Sequence, residues 1–250
     1  MRMQGVILDL GHTLMYLDST WPEVFEQGAT DLAAFVDGQE LGVEGKDLAQ
    51  TWLEIRSEGF AHAQETCREV TAEASMRRTW AQCGVVEPDQ LLVRWTIDTF
   101  FAYEYTRWTA YPEALSVLEA LSEEGLRLGL FSNATDAPFI QRLVDRFGFA
   151  TWLDPVLSSA ATGIRKPDPV AFDPFLGAWA LPPEAIAVVG DRLEADILGA
   201  QQAGMASIWL RAREDARQEG QDASRGQPVP VAPTVTINRL AELPEALASL

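Results

Sequence analysis

In GVILDLGHTLM, residues 5–15, a continuous apolar run ends on a carboxylate, Asp9. A lone acid at a strand end is as readily a cap as a reactive group. Three further stretches bear on the choice. Ser132 and Asn133 put a hydroxyl beside an amide after the run LRLGLF; each can donate to an anionic oxygen without adding charge, although both residues also favour plain turns. In GIRKPDP, Lys166 sits between a glycine and a proline that fixes the backbone. An ammonium held that way can screen two negative groups, or can simply precede a surface turn. VVGDRLEAD ends another apolar run on Asp191 and sets Asp196 five residues further on, where a helix N-terminus also favours an acid. Asp9, Asp191 and Asp196 together form a hard-oxygen set suited to Mg²⁺.

The elements that must position these groups follow from hydrophobic pattern. Short apolar runs at 4–10, 126–132, 154–159, 185–191, 205–210 and 234–237 read as buried strands. Helical spacing fills 112–125, 137–148, 169–180, 192–204 and 239–250 between them. Strands alternating with helices predict crossover units and a parallel sheet, with ligands gathered beyond the carboxyl ends of the strands. Asp9, Ser132 and Asp191 all fall at such ends. Residues 19–108 obey another rule: apolar positions recur at three and four with no strand-like run. They predict an all-α bundle inserted after the first strand, with hinges near 16–19 and 108–112. Residues 211–233 are polar with late prolines and read as a mobile loop before the last strand.

Bulk properties narrow the function classes. The 250 residues are 47% apolar, ample for a core domain with a smaller partner. A net charge of -18 with no basic stripe argues against nucleic acid as a partner. An anionic substrate would need a few placed Lys or Arg side chains. The two cysteines, Cys67 and Cys83, lack CxxC spacing and are expected as free thiols in a reduced cytosol. The opening MRMQGVILDL does not read as a signal peptide, and no apolar run approaches the 18 residues of a span. A cytoplasmic protein without membrane contact is the expectation.

The order of these signals is more specific than any one of them. An acid, then Ser-Asn, then Lys-Pro, then Gly-Asp-x4-Asp resembles the haloacid dehalogenase-like hydrolase superfamily over nearly the whole chain. That resemblance implies a Rossmann-like parallel-sheet core from 1–15 and 109–250, with an inserted all-α helical cap at 16–108. It implies Asp9 as the nucleophile of an aspartyl-phosphate, Lys166 as the cation between nucleophile and phosphoryl group, and Ser132 as the phosphate-binding hydroxyl with help from the Asn133 backbone. Thr13 matches the residue that braces the first loop. Mg²⁺ would lie on Asp9, the Gly11 carbonyl and Asp191, with Asp196 in support, and the substrate would be a small phosphorylated metabolite.

One position departs from the pattern. Phosphatases of this superfamily usually carry a second Asp two residues past the nucleophile, where this chain has Gly11. Glycine can neither protonate a leaving alkoxide nor activate water, help worth about 10²–10⁴-fold. A slow phosphatase is therefore expected, or a member that binds a phosphorylated ligand or partner without turnover. His12 is the adjacent candidate acid/base, although neighbouring strand-end side chains point apart. Cleavage of haloacids fits less well with Asp191 and Asp196 present. Cleavage of phosphonates needs a cap lysine, and Lys46 alone lies in 16–108. Most aromatic residues of that stretch are expected in its core. Arg56, His62, Arg77 and Arg78 within it, and Arg192 after Asp191, are candidate substrate contacts.

Overall fold

The computed structural model describes residues 3–39, 41–211 and 231–250. Among them lie eight strands: β1 (Gly5–Leu8), β2 (Met15–Leu17), β3 (Trp108–Ala110), β4 (Arg127–Ser132), β5 (Val156–Ser158), β6 (Ile186–Gly190), β7 (Ala206–Leu210) and β8 (Val235–Ile237). Six form one sheet in the order β5-β4-β1-β6-β7-β8, while β2 pairs with β3 apart from it. Every ladder of the six-stranded sheet is parallel. The fold is α/β, as the alternating pattern implies.

The chain divides into two compact units, Met1–Asp18 with Thr109–Leu250, and Ser19–Trp108. The first holds the sheet and helices α5 (Ala114–Glu123), α6 (Ala137–Arg146), α7 (Ser159–Thr162), α8 (Asp173–Trp179), α9 (Leu198–Gln202) and α10 (Leu243–Ala248). β1 is central and buried at every residue. Helix α6 turns Phe139, Ile140, Leu143 and Val144 inward, the three-four spacing of a helix with one apolar face. One side of the core gathers Ile7, Phe131, Phe172, Phe175, Trp179, Ile186 and Val188. A buried Val, Leu or Phe contributes roughly 1.5–3 kcal/mol relative to exposure.

The second unit is all helix: α1 (Trp21–Asp37), α2 (Gly45–Thr66), α3 (Ala72–Gln82) and α4 (Gln90–Arg107). Local chemistry sets their starts. Thr20 and Glu23 form a capping box on α1, and the side chains of Thr71 and Asp89 cap α3 and α4, satisfying N–H groups that a helix leaves unpaired. Trp52, Trp80 and Phe100 are fully buried between the helices.

Two features lie outside the sequence reading. The expected hinges contain the short strands β2 and β3, whose three residues each are too few for a period-two pattern to register. The expected helix at 192–204 opens with a wide turn, Leu193–Ile197, before α9. No helix among the described residues is long and apolar enough to cross a membrane. Most of the loop expected at 211–233 lies outside the described residues.

Candidate active site

The sheet register brings the strand ends together. Leu8 lies opposite Leu130 on one side and Val189 on the other. Asp9, Ser132 and Asp191 therefore leave three adjacent strands on the same edge, within about one residue of a common level. Lys166 arrives from the loop after α7 and is 4% exposed, which is unusual for a lysine. Its Nζ lies 2.7 Å from Asp9 Oδ1 and 2.6 Å from Asp196 Oδ1, and it also donates to the Phe131 carbonyl at 2.7 Å. An ammonium has three protons, and here each has an oxygen. Burial alone would lower the Lys166 pKa, but the charges of Asp196 and Asp9 outweigh it and hold the side chain protonated.

Asp196 reaches this point through the wide turn. The N–H groups of Ala195, Asp196 and Ile197 all point to the Arg192 carbonyl, a geometry often found at functional sites. Its Oδ2 accepts from the Arg192 backbone N–H at 3.0 Å. Gly190 makes the approach feasible, because a Cβ there would collide with the Asp196 carboxyl group. Carboxylate oxygens of Asp9, Asp191 and Asp196 lie within 4.8 Å of one another. Burial, then the charges of Asp9 and Asp196, push the Asp191 carboxyl well above its usual range. Burial likewise raises Asp196, opposed by Lys166. Three carboxyl groups converge on one oxygen-lined point, and a divalent cation fits that donor set.

The other expected residues are distributed as follows. Thr13 Oγ1 is 3.5 Å from Asp9 Oδ2, a long contact. Ser132 is buried at the end of β4. The Asn133 side chain is engaged elsewhere, Nδ2 donating to the Lys166 carbonyl at 2.8 Å and Oδ1 accepting from the Lys166 N–H at 3.0 Å, which leaves the expected part in phosphate binding to its backbone. Arg192 Nε donates to Glu194 at 2.9 Å, which ties its guanidinium to its own turn. Gly11 makes an isolated bridge to Met15. Its φ is not positive; the left-handed position is His12, at 59°. His12 lines a small cleft with Tyr111, Leu210 and Asn238. Burial, with Arg192 nearby, lowers its pKa to about 4. At neutral pH the imidazole is therefore uncharged.

In the helical unit, Arg77 is bonded to Glu73 and Arg78 to Glu58. His62 and Lys46 are exposed. Arg56 differs. Its guanidinium lies over Phe25, Phe100 and Phe101 at 4.8, 5.5 and 5.7 Å. Its Nε and the Oε2 of Glu104 are buried without hydrogen-bond partners among the described residues. Glu104 went unmarked in the sequence, as did the Phe131 carbonyl. The first had a faint signal, since Trp52 with Arg56 and Phe100 with Glu104 share i,i+4 faces on two helices. A backbone carbonyl has none.

Comparison with known proteins agrees with this geometry. A family profile described as haloacid dehalogenase-like hydrolase matches residues 3–204. The chain is 37% identical over 110 residues to a phosphoserine phosphatase of Thermus thermophilus, a match that spans 44% of each chain and thus less than half of that relative. It is 32% identical over 170 residues to the pyrimidine 5'-nucleotidase YjjG of Escherichia coli, covering 68% of both. A 2-haloacid dehalogenase of Pseudomonas syringae pv. tomato superimposes with a TM-score of 0.71 at 25% identity over 99% of both chains. With the acid, lysine and paired aspartates assembled at one sheet edge, and most of the sequence matching the profile, the chain belongs to the haloacid dehalogenase-like hydrolases.

Proposed function

We propose that the protein is a slow, Mg²⁺-dependent phosphatase acting on a small phosphorylated metabolite through an aspartyl-phosphate at Asp9. One observation carries the reading: a buried carboxylate, a buried ammonium and two further carboxylates converge where the central strand of a parallel sheet ends.

Each group has work that its position supports. Asp9 Oδ1 is tied to Lys166, while among the described residues Oδ2 has only the long contact to Thr13. Oδ2 is thus the oxygen free to attack phosphorus. As the new O–P bond forms, the ester O–P bond breaks and the alkoxide takes its proton from solvent, since Gly11 offers none. Water then cleaves the aspartyl-phosphate and returns the carboxylate. Lys166, held protonated, offsets the charge of Asp9 against the phosphoryl oxygens. Ser132 contributes a neutral donor one strand away. Asp9, the Gly11 carbonyl and Asp191 would hold Mg²⁺, with Asp196 behind them; the ion would supply charge compensation at the phosphoryl oxygens. His12 takes no proton in this scheme. The unit at 19–108 serves as the cap that selects the substrate and limits water.

The phosphatase names among the relatives support this reading, and a good leaving group removes most of the need for an acid. The decisive assay uses an activated aryl phosphate with Mg²⁺, beside Asp9→Asn. Turnover in the native protein that is lost in the variant and on chelation is expected. Turnover that survives the variant points to a contaminant. Silence in both favours the ligand-binding alternative that Gly11 suggests. Because a full-length structural relative is a 2-haloacid dehalogenase, halide release from 2-chloropropionate is measured in parallel; release without phosphate turnover would replace the phosphatase reading.

A further inference from the structure

The end of β4 holds Lys166 at two places at once. At the head of the side chain, the Phe131 carbonyl accepts from Nζ at 2.7 Å. At the root, the Asn133 side chain bonds both backbone groups of the same residue, donating to the Lys166 carbonyl at 2.8 Å and accepting from its N–H at 3.0 Å. The two contacts together copy the paired bonds by which one strand residue holds its neighbour in a sheet. The partners are 33 residues apart in sequence, so the clamp joins two separate segments of the core. The loop bearing Asn133 is itself fixed, because Ser159 Oγ bonds the N–H of Ala134 at 2.9 Å and its carbonyl at 3.2 Å.

We propose that Asn133 is a positioning residue, whose amide sets where the Lys166 ammonium stands between Asp9 and Asp196. The chemistry requires an amide of this length. Asn alone among the short side chains offers one acceptor and a donor pair in one plane. Asp would meet the Lys166 carbonyl oxygen with a second oxygen, and Ser or Thr would present one atom where two are needed. The backbone of 166 would then relax, and a lysine with four rotatable bonds would carry its head off the line joining two acids only 2.6 and 2.7 Å away. Positioning errors of that kind lower turnover steeply while leaving binding almost untouched.

The test has two arms, and only the second rests on the phosphatase reading. In the first, 15N-labelled protein is examined for a slowly exchanging lysine ammonium, the signature of an Nζ held by three acceptors. Lys166→Met assigns the signal by removing it. Asn133→Ala and Asn133→Asp are expected to shift the signal or broaden it beyond detection, in protein whose circular dichroism is native. A signal unchanged in either folded variant overturns the proposal. Asn133→Asp keeps the acceptor and serves if Asn133→Ala does not fold. In the second arm, both variants are expected to lower kcat on an aryl phosphate by about 10–100-fold with KM changed less than about threefold, the order seen for misplaced catalytic groups. A rise in KM at constant kcat would mean that Asn133 contacts phosphate directly, which also overturns the positioning role. If the native protein proves silent toward phosphate esters, the ammonium signal still decides the matter.

Discussion

At the end of β1 the buried ammonium of Lys166 meets three oxygens, each within 2.7 Å. Inside the helical unit the guanidinium of the half-buried Arg56 leans on three ring faces, and its Nε and Glu104 Oε2 lack hydrogen-bond partners among the described residues. Hydrogen bonds to charge are short and directional, whereas a ring face accepts a cation over a broad cone. The first arrangement fixes one atom in space. The second keeps a charge inside a helix bundle without fixing it. The titrations follow suit: carboxylates outweigh burial and raise Lys166, while burial dominates at Arg56, which falls, and at Glu104, which rises. The region that must do chemistry has the fully bonded charge.

Removing Lys166 breaks the contrast most severely. Lys166→Met leaves Asp9, Asp191 and Asp196 facing one another without the ammonium that two of them share, and with Arg192 as a nearby positive charge. Turnover on an aryl phosphate is expected to fall at least about 10³-fold. Stability is expected to fall by about 3–5 kcal/mol, as when a buried pair loses one partner, measured by denaturant unfolding without Mg²⁺. A loss under 1 kcal/mol would show that the acids do not depend on the lysine. Gly11→Asp tests the same site from the other direction. Because φ at 11 is not positive, a side chain meets no left-handed strain there. Restoring an acid beside the nucleophile is expected to raise kcat by about 10²–10⁴-fold on esters with poor leaving groups. The gain should be much smaller on activated ones. Equal rates on both classes would mean that Gly11 is not what limits the chemistry.

In the helical unit the effects are smaller. Arg56→Met is expected to cost about 1–3 kcal/mol and to cost less in a Glu104→Gln background, because the buried acid then needs no countercharge. Full additivity in that double-mutant cycle would sink the idea that the two groups sense each other. Glu104 also sets a pH trend. Burial holds its folded pKa above the ordinary glutamate value of 4.5, so the folded state holds the proton more tightly. The stability it contributes is complete below about 4.5 and is lost as pH rises through the folded value. Glu104→Gln carries no such titration and should gain on the native protein between pH 5 and 8. A constant difference across that range would assign Glu104 no burial penalty.

Much of this contrast was legible in the residues. The six strands of the sheet lie within the runs read from apolar pattern, because fully buried parallel strands leave continuous hydrophobic stretches. Asp9, Ser132, Asp191 and Lys166 stand out by type; the shared edge of the first three follows from strand ends, whereas the place of Lys166 follows only from the order of the motifs. What the pattern hid depended on the backbone or on distant pairing. The Phe131 carbonyl on Lys166 leaves no mark on residue type. Asn133 carries the right atoms for a phosphate, yet its partners are main-chain groups 33 residues away. Glu104 sits where helical spacing would allow a surface acid, and only packing against Trp108 and Arg56 reveals it as buried.

His12 gives the smallest effect and tests whether a titratable neighbour of the site takes part in it. Its φ of 59° places a non-glycine residue in the left-handed region, which costs roughly 1–2 kcal/mol. Its pKa falls from 6.5 to about 4 through burial and Arg192. The folded state thus binds its proton less readily than the unfolded chain does. Stability from this group is complete above pH 6.5 and is lost as pH falls toward 4. His12→Gly relieves the backbone and removes the titration, at the expense of a more flexible unfolded chain. The net gain at pH 7 is expected to stay within about 1 kcal/mol, and to grow relative to the native protein at pH 5. Turnover between pH 6 and 8 is expected to keep its shape, because a group titrating near 4 is already neutral throughout that range. An ascending limb near pH 6–7 in the native protein, absent from His12→Gly, would instead make His12 the base that stands in for an acid at position 11, and the contrast between a fully bonded charge and a loosely held one would then extend to one proton more.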